Sequence, residues 1–149
     1  MKNTGIKIIA TNKKAHFNYF LSDFMEAGIE LKGTEIKSLR VTGATINDSY
    51  IVIRNEQVEI INMYIKPYDH GNLFNHDPLR TRKLLLHKHE IRWLAQKIKT
   101  DGFTVVPTKL YFSKGKAKLE IALAKGKHNY DKRETIKKRD IERELNKDL

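Results

Sequence analysis

The sequence of 149 residues contains no cysteine, only three prolines, and no apolar run long enough to cross a membrane as a helix. The absence of cysteine excludes disulfide bonds and thiolate metal ligands, as is usual in a reducing cytosol. The first residues, Met1-Lys-Asn-Thr-Gly-Ile6, lack the apolar segment of a secretory signal. We therefore expect a cytoplasmic protein without a membrane partner.

Acidic residues are scarce relative to basic ones. Eighteen Asp and Glu residues stand against 29 Lys and Arg residues, which gives a formal net charge of +11. An excess of this size favours a polyanionic partner such as nucleic acid. Hydrophobic residues make up 40% of the chain, enough for a packed core. We expect one domain with a short appendage and several separated basic patches.

The distribution of apolar residues predicts a mainly β domain. Five segments have the composition or the alternation of strands: 16–31, 49–54, 58–65, 104–112 and 117–124. Gly28 is expected to mark a bulge or kink. Two hairpins are expected, at Asn55-Glu-Gln57 between the second and third segments and at Ser113-Lys-Gly-Lys116 between the last two. Short antiparallel strands leave bare edges unless their sheet closes. The pattern therefore predicts a small closed antiparallel β-barrel of the oligonucleotide-binding type.

About three helices are expected to flank this barrel. Residues 33–40 have the spacing of a short helix capped by Thr34. The strongest helical pattern is an apolar stripe that includes Leu84, Ile91 and Ile98 and is closed by Asp101-Gly102.

The alternating pattern stops near Ala124, which predicts a domain over residues 1–124 and a basic tail over residues 125–149. Between residues 124 and 143, only His128, Tyr130 and two isoleucines are large side chains without a formal charge. Such a segment is either a solvated end or a peptide that becomes helical on a polyanion. Tyr130 is suited to stack on a base while its basic neighbours contact phosphates.

Two other basic runs allow both a structural and an RNA-binding interpretation. The run Asn12-Lys-Lys-Ala-His16 is either a polar entry to a strand or a contact for phosphates and base edges. Arg80, Arg82 and Lys83 flank the predicted start of a helix, where phosphates are favoured. The three leucines that follow are either core residues or include one that packs on a nucleobase.

Patterns typical of enzymes are weak in this chain. His70, His76 and Asp77 in a polar loop are the candidates for acid–base chemistry or metal binding, and the histidine spacing matches no zinc pattern. A phosphate-binding glycine loop and the Gly-x-Ser-x-Gly motif are both absent. We expect no enzymatic activity, no metal and no cofactor.

Five blocks of the sequence resemble the small protein B family, the SsrA-binding proteins of bacteria, over about residues 8–143. The blocks are Asn12-Lys-Lys-Ala15, Glu26-Ala-Gly-Ile29, Gly33-Thr-Glu-Ile-Lys-Ser-Leu-Arg40, Asn75-His-Asp-Pro-Leu-Arg-Thr-Arg-Lys-Leu-Leu-Leu-His87 and Ala124-Lys-Gly-Lys-His-Asn-Tyr-Asp-Lys-Arg133. The resemblance implies a protein of trans-translation, the rescue of stalled ribosomes. Its domain would bind the tRNA-like domain of transfer-messenger RNA, and its tail would probe the empty mRNA channel.

The resemblance also implies partners and site residues. The partners would be transfer-messenger RNA and the 16S and 23S rRNA of the ribosome, bound by a monomer. The RNA-facing residues of the body would be Asn12, Lys13, Lys14, His16, Tyr19, Glu26, Lys37, Arg40 and Leu85. The rRNA contacts of the tail would be Lys125, Lys127, His128, Tyr130, Asp131, Lys132, Arg133, Lys137, Lys138 and Arg139. The alternative function is a generic barrel protein for single-stranded RNA or ribosome assembly.

Overall fold

The computed structural model describes residues 6–68 and 75–127. Within these ranges the helices are α1 (Lys13–Asn18), α2 (Gly33–Val41) and α3 (Lys88–Asp101). The strands there are β1 (Ile6–Thr11), β2 (Tyr19–Ile29), β3 (Ala44–Thr45), β4 (Tyr50–Arg54), β5 (Gln57–Ile61), β6 (Tyr64–Ile65), β7 (Arg82–Leu85), β8 (Thr104–Ser113) and β9 (Lys116–Gly126). The predicted mainly β class with three helices is therefore confirmed. In the same ranges, no helix has the length and apolar character needed to cross a membrane.

Seven strands form one antiparallel sheet in the order β1-β8-β9-β2-β7-β5-β4, and β3 pairs separately with β6. Across the described ranges the hydrogen-bonded order ends at β1 and at β4, so the sheet is open there and the predicted closure is not found. The irregularity of β2 lies between Ser22 and Met25, where Asp23 has a φ of 52°, and not at Gly28 as predicted.

The core lies on the inner face of the large sheet. Leu119, Ile121 and Leu123 of β9 are fully buried, as their alternation predicts. A smaller cluster lies on the outer face at one end, where α1 packs Ala15 against Val106. Both faces of the sheet are therefore covered at that end, while the outer face at the other end remains accessible.

Both predicted hairpin turns are confirmed. Asn55 and Glu56 between β4 and β5 have φ values of 52° and 60°, and Lys114 and Gly115 between β8 and β9 have values of 51° and 79°. Two successive residues in the left-handed region match the right-handed twist of the flanking strands. These turns fix the register of their hairpins.

The helices differ from the prediction at their beginnings. Residues 13–18, predicted as polar entry and strand, form α1. Helix α2 is capped by Lys32, whose backbone N–H donates to Glu35 Oε1 at 2.7 Å, and not by Thr34. Leu84 lies in β7 rather than in α3, because it pairs with Val58 of β5 and Ile29 of β2 and fills the core. The predicted end of α3 is confirmed by Gly102, whose φ is 73°.

Candidate nucleic-acid interface

The predicted RNA-facing residues of the body fall into two groups at opposite ends of β2. Tyr19 begins the strand and pairs with Gly126 of β9, whereas Gly28 near the other end pairs with Leu85 of β7. At about 3.3 Å per residue, the two ends lie roughly 25–30 Å apart. We name the group near Gly28 the sheet-end surface and the group near Tyr19 the tail-root surface.

The sheet-end surface consists of Glu26, Lys37, Arg40 and Leu85, and a single row of the sheet passes through it. The registers place Ile8, Tyr111, Lys118, Gly28 and Leu85 side by side on β1, β8, β9, β2 and β7. Leu85 is 49% exposed on the outer side of β7, whereas Leu84 faces the core. The middle leucine of the triplet is therefore the accessible one.

Gly28 allows Leu85 to lie against β2. A Cβ atom at position 28 would stand 3.2 Å from Leu85 Cβ, which is tighter than nine in ten real Cβ contacts. A side chain at position 28 would therefore require Leu85 to shift by a few tenths of an ångström. The glycine therefore acts in the packing of Leu85 and not as the predicted kink.

Helix α2 brings two cations to the same end of the sheet. Lys37 and Arg40 are exposed and three residues apart, so they share one helix face. The Arg40 guanidinium lies 5.8 Å from the ring centroid of Phe112. A groove of about 320 Å³ adjoins them, lined by Gly28, Leu31, Ile36, Leu85, Lys116 and Lys118, among others. Apolar and basic side chains thus lie together at this end of the sheet.

Glu26 is held by Tyr111, a residue outside the predicted RNA-facing set. The hydroxyl of Tyr111 donates to Glu26 Oε2 at 2.5 Å, although the two residues are 85 positions apart. Tyr111 is only 5% exposed, whereas Glu26 is exposed. Glu26 therefore lies on the outer face with one carboxylate oxygen already hydrogen-bonded.

A buried ionic cluster fastens α2 to β7. Glu35 is 0% exposed and accepts hydrogen bonds from Arg80 Nη2, at 2.6 Å, and from Arg82 Nε. Arg82 is also fully buried, and its Nη1 donates to the backbone oxygen of Met63 at 2.6 Å. These two arginines were predicted to flank a helix and face phosphate. Arg82 instead lies in β7, where it faces inward as Leu84 does and is enclosed by protein.

Burial alone would raise the pKa of the Glu35 carboxyl, but hydrogen bonds from Arg80, the Lys32 N–H and Arg82 outweigh it and lower that pKa. Glu35 is therefore ionised at neutral pH and neutralises the buried Arg82. The cluster positions Lys37 and Arg40, which follow Glu35 on α2, beside the strand that carries Leu85.

The tail-root surface contains Lys13, His16, Tyr19, Lys125 and Lys127. Lys125 pairs with Phe20 in the sheet, its Nζ donates to the backbone oxygen of Asp101 at 2.5 Å, and it lies 4.5 Å from the ring centroid of Phe103. Lys127 lies 5.4 Å from the ring centroid of Phe20. Strand β9 extends to Gly126, two residues beyond the predicted domain boundary. Two lysines at the end of the described residues therefore lie against the rings of Phe103 and Phe20.

Asn12 is 2% exposed, so its amide does not lie on the surface. Its Oδ1 accepts from the Ala15 N–H at 3.0 Å and caps α1, while its Nδ2 donates to the Pro107 oxygen at 2.8 Å. Lys14 is exposed and paired with Asp48 at 2.8 Å. Lys13 and His16 are exposed on the helix that Asn12 holds.

Asn12→Ala is expected to lower the free energy of unfolding by about 1–3 kcal/mol, because it removes a helix cap and a buried hydrogen bond. Urea denaturation measures this change. Lys13→Ala on the same helix is the control, and we expect it to change stability by less than about 0.5 kcal/mol. Equal stability of Asn12→Ala and the wild type would contradict the structural role of Asn12.

The candidates for acid–base chemistry are not assembled into a site in the described ranges. His76 is buried, with Nδ1 3.0 Å from Thr34 Oγ1 and Nε2 2.9 Å from the Ile65 oxygen, so both ring nitrogens are engaged. His70 and the tail residues from His128 to Arg139 lie outside the described residues. Residues 6–68 and 75–127 contain no group of three or more side chains arranged to hold a metal ion.

An open antiparallel sheet, a net positive charge and an exposed surface of leucine, lysine and arginine are typical of small nucleic-acid-binding domains. Comparison with known proteins identifies the family. Residues 9–149 match the model of the SmpB protein family. The chain belongs to this family.

Individual relatives are similar in sequence to this chain over nearly its full length. The SsrA-binding protein of Caldicellulosiruptor bescii is 53% identical over 148 residues, which are 99% of this chain and 94% of the relative. That of Malacoplasma penetrans is 54% identical over 144 residues, 97% and 99% of the two chains. A chain of the solved structure "tmRNA-SmpB: a journey to the center of the bacterial ribosome" is 43% identical, with a TM-score of 0.68 and coverage of 85% of this chain and 89% of that one.

Proposed function

We propose that this protein binds transfer-messenger RNA, the SsrA RNA, and delivers it to stalled ribosomes in trans-translation. The observation that carries the proposal is the match to the SmpB family over residues 9–149, together with relatives named SsrA-binding proteins. The protein acts in the cytoplasm, as a monomer, through binding and without a catalytic step.

The body binds the tRNA-like domain through the sheet-end surface. Support comes from the convergence of three separate sequence blocks, which bring Glu26, Arg40 and Leu85 to one end of the sheet. Leucine supplies a platform for an unstacked base, the cations supply phosphate contacts, and the carboxylate accepts from base or ribose donors. Asn12 contributes by holding α1, which presents Lys13 and His16.

The sheet belongs to the oligonucleotide-binding type as a partly open barrel. The two ends of its strand order approach each other, because β4 at one end has Cα atoms within 8 Å of β8, the strand next to the other end. This curvature encloses the core without a hydrogen-bonded closure. The body ends near Lys127, and the following tail orders on rRNA in the empty mRNA channel.

Binding measurements with two RNAs test this function. We expect the protein to bind a tRNA-like RNA more tightly than an unstructured RNA of equal length, with an affinity that falls steeply as salt rises. Equal affinity for both RNAs at the same salt concentration would contradict the proposal and favour a generic single-strand-binding protein.

Leu85→Ala is expected to weaken binding to the tRNA-like RNA roughly fivefold. Full burial of a leucine contributes about 1.5–3 kcal/mol, and the side chain is already about half buried, so roughly 1 kcal/mol remains to be gained on the RNA. Titration of labelled RNA measures the change. Leu79→Ala, at a leucine that is 52% exposed and outside this surface, is the matched control. Equal loss in both variants would remove Leu85 from the interface.

A further inference from the structure

We propose that Tyr111 is a positioning residue for RNA binding, which fixes one carboxylate oxygen of Glu26 so that the other is presented to a hydrogen-bond donor of the RNA. The inference rests on the proposed function, because it requires Glu26 to contact RNA. Tyr111 itself touches no RNA and acts through Glu26.

The sheet register explains why Tyr111 reaches Glu26. Tyr111 of β8 lies beside Lys118 of β9, which lies beside Gly28 of β2, and Glu26 is two residues before Gly28 on the same face. The phenol therefore crosses over β9 and spans two strand spacings of about 4.8 Å each. Tyr111 is only 5% exposed although it belongs to the outer face.

Without Tyr111, the residues around Glu26 would not hold its carboxylate in one orientation. The direct cross-strand neighbour of Glu26 is Glu120, and like charges in such a pair repel. Glu120 has its own partners, since Thr108 Oγ1 donates to its Oε1 at 2.8 Å and Lys109 Nζ lies 3.7 Å from its Oε2. Glu26 has the Tyr111 hydroxyl as its hydrogen-bond partner among the described residues.

The protonation of Tyr111 favours this role. Burial raises the pKa of the Tyr111 hydroxyl, and the hydrogen bond to Glu26 and the charges of Glu26 and Glu120 raise it further. The phenol therefore remains protonated at any pH at which the ribosome works. It is a permanent donor to Glu26, and the carboxylate oxygen that it leaves open is an acceptor for an amino, imino or 2′-hydroxyl group of RNA.

Tyr111→Phe isolates the hydroxyl, because it keeps the buried ring. We expect this variant to bind the tRNA-like RNA roughly three- to tenfold more weakly, the effect of ordering one flexible side chain at the moment of binding. The dependence of affinity on salt should stay the same, because no phosphate contact is lost. Tyr50→Phe, at an exposed tyrosine on β4, is the matched control and should bind like the wild type.

A double-mutant cycle with Glu26→Ala separates positioning from general structure. If Tyr111 acts through Glu26, Tyr111→Phe has no further effect on affinity in the Glu26→Ala background. In that background NMR should also show the Tyr111 pKa shifted toward its ordinary value. Unfolding measurements on all four proteins show that they are folded under the binding conditions.

Three results would overturn the inference. The first is an equal loss of affinity from Tyr111→Phe with and without Glu26, which would indicate a structural role. The second is wild-type binding by Tyr111→Phe when Glu26→Ala binds weakly, which leaves the proposed function standing. The third is wild-type binding by Glu26→Ala, which removes Glu26 from the interface; the comparison of tRNA-like and unstructured RNA then still decides the proposed function.

Discussion

Glu35→Ala is expected to lower the free energy of unfolding by about 3–5 kcal/mol, one of the largest effects available to a single substitution in this protein. The side chains of Glu35 and Arg82 are both 0% exposed, so the variant leaves a buried guanidinium without its counter-ion. Arg80 loses the same partner but is partly exposed and can turn to water. Urea denaturation at neutral pH measures the loss.

The control is a surface ion pair of ordinary geometry. Arg54 and Glu59 lie 3.1 Å apart, and the arginine side chain is 67% exposed. Glu59→Ala should therefore cost less than about 1 kcal/mol. A loss in Glu35→Ala no larger than that of Glu59→Ala would contradict the structural role of the buried cluster.

The same cluster predicts how stability depends on pH. The pKa of Glu35 is lower in the folded protein than its ordinary value near 4.5. The unfolded chain therefore takes up a proton first, and the contribution of Glu35 is complete above about pH 4.5 and is lost as pH falls through the lower folded pKa. The difference in the free energy of unfolding between the wild type and Glu35→Ala should thus shrink as pH falls from neutral into the acid range. A constant difference in stability across this range would contradict the assignment.

Removal of residues 128–149 is expected to abolish ribosome rescue while leaving RNA binding within about twofold of the full chain. These residues contain seven Lys and Arg and six Asp and Glu, so the body retains nearly all of the net charge that attracts RNA. The cut follows Lys127 because β9 pairs with β2 as far as Gly126. The body should therefore keep all its strand pairs.

Two measurements check the separation of roles. The truncated chain is titrated with the tRNA-like RNA, and its activity is assayed by tagging of a peptide on a ribosome stalled without a stop codon. Rescue by the truncated chain at the rate of the full chain would show that the tail is dispensable. A large loss of RNA affinity would place part of the RNA-binding surface in the tail. Either result would contradict the proposed division between body and tail.

Asn12 and Arg82, two residues that the sequence suggested as RNA contacts, act on RNA indirectly. Asn12 and Arg82 are polar residues in blocks that resemble a family of RNA-binding proteins, yet both are buried. Asn12 holds the helix that carries Lys13 and His16. Arg82, through Glu35, holds the helix that carries Lys37 and Arg40. Their effect on RNA is through the residues that they position.

Sequence patterns predict correctly those elements that are specified by interactions between near neighbours in the chain. The β8–β9 hairpin was predicted from Lys114-Gly115 and from the alternation of Leu119, Ile121 and Leu123, because turn chemistry and strand period act between near neighbours. The end of α3 at Gly102 was predicted for the same reason. The beginning of α3 was not, because Leu84 fits an apolar stripe of a helix and an inward position of a strand equally well.

The sequence by itself determined the mainly β class, the turns, the basic character and, through its resemblance to a family, the function to be tested. Only the tertiary structure decided that the sheet stays open, that Asn12 and Arg82 are enclosed, and that Tyr111 bonds Glu26. The placement of Asn12, Arg82 and Tyr111 depends on hydrogen bonds between residues 47 to 95 positions apart. No local propensity specifies such contacts, because burial and strand register are set by the packing of the whole chain.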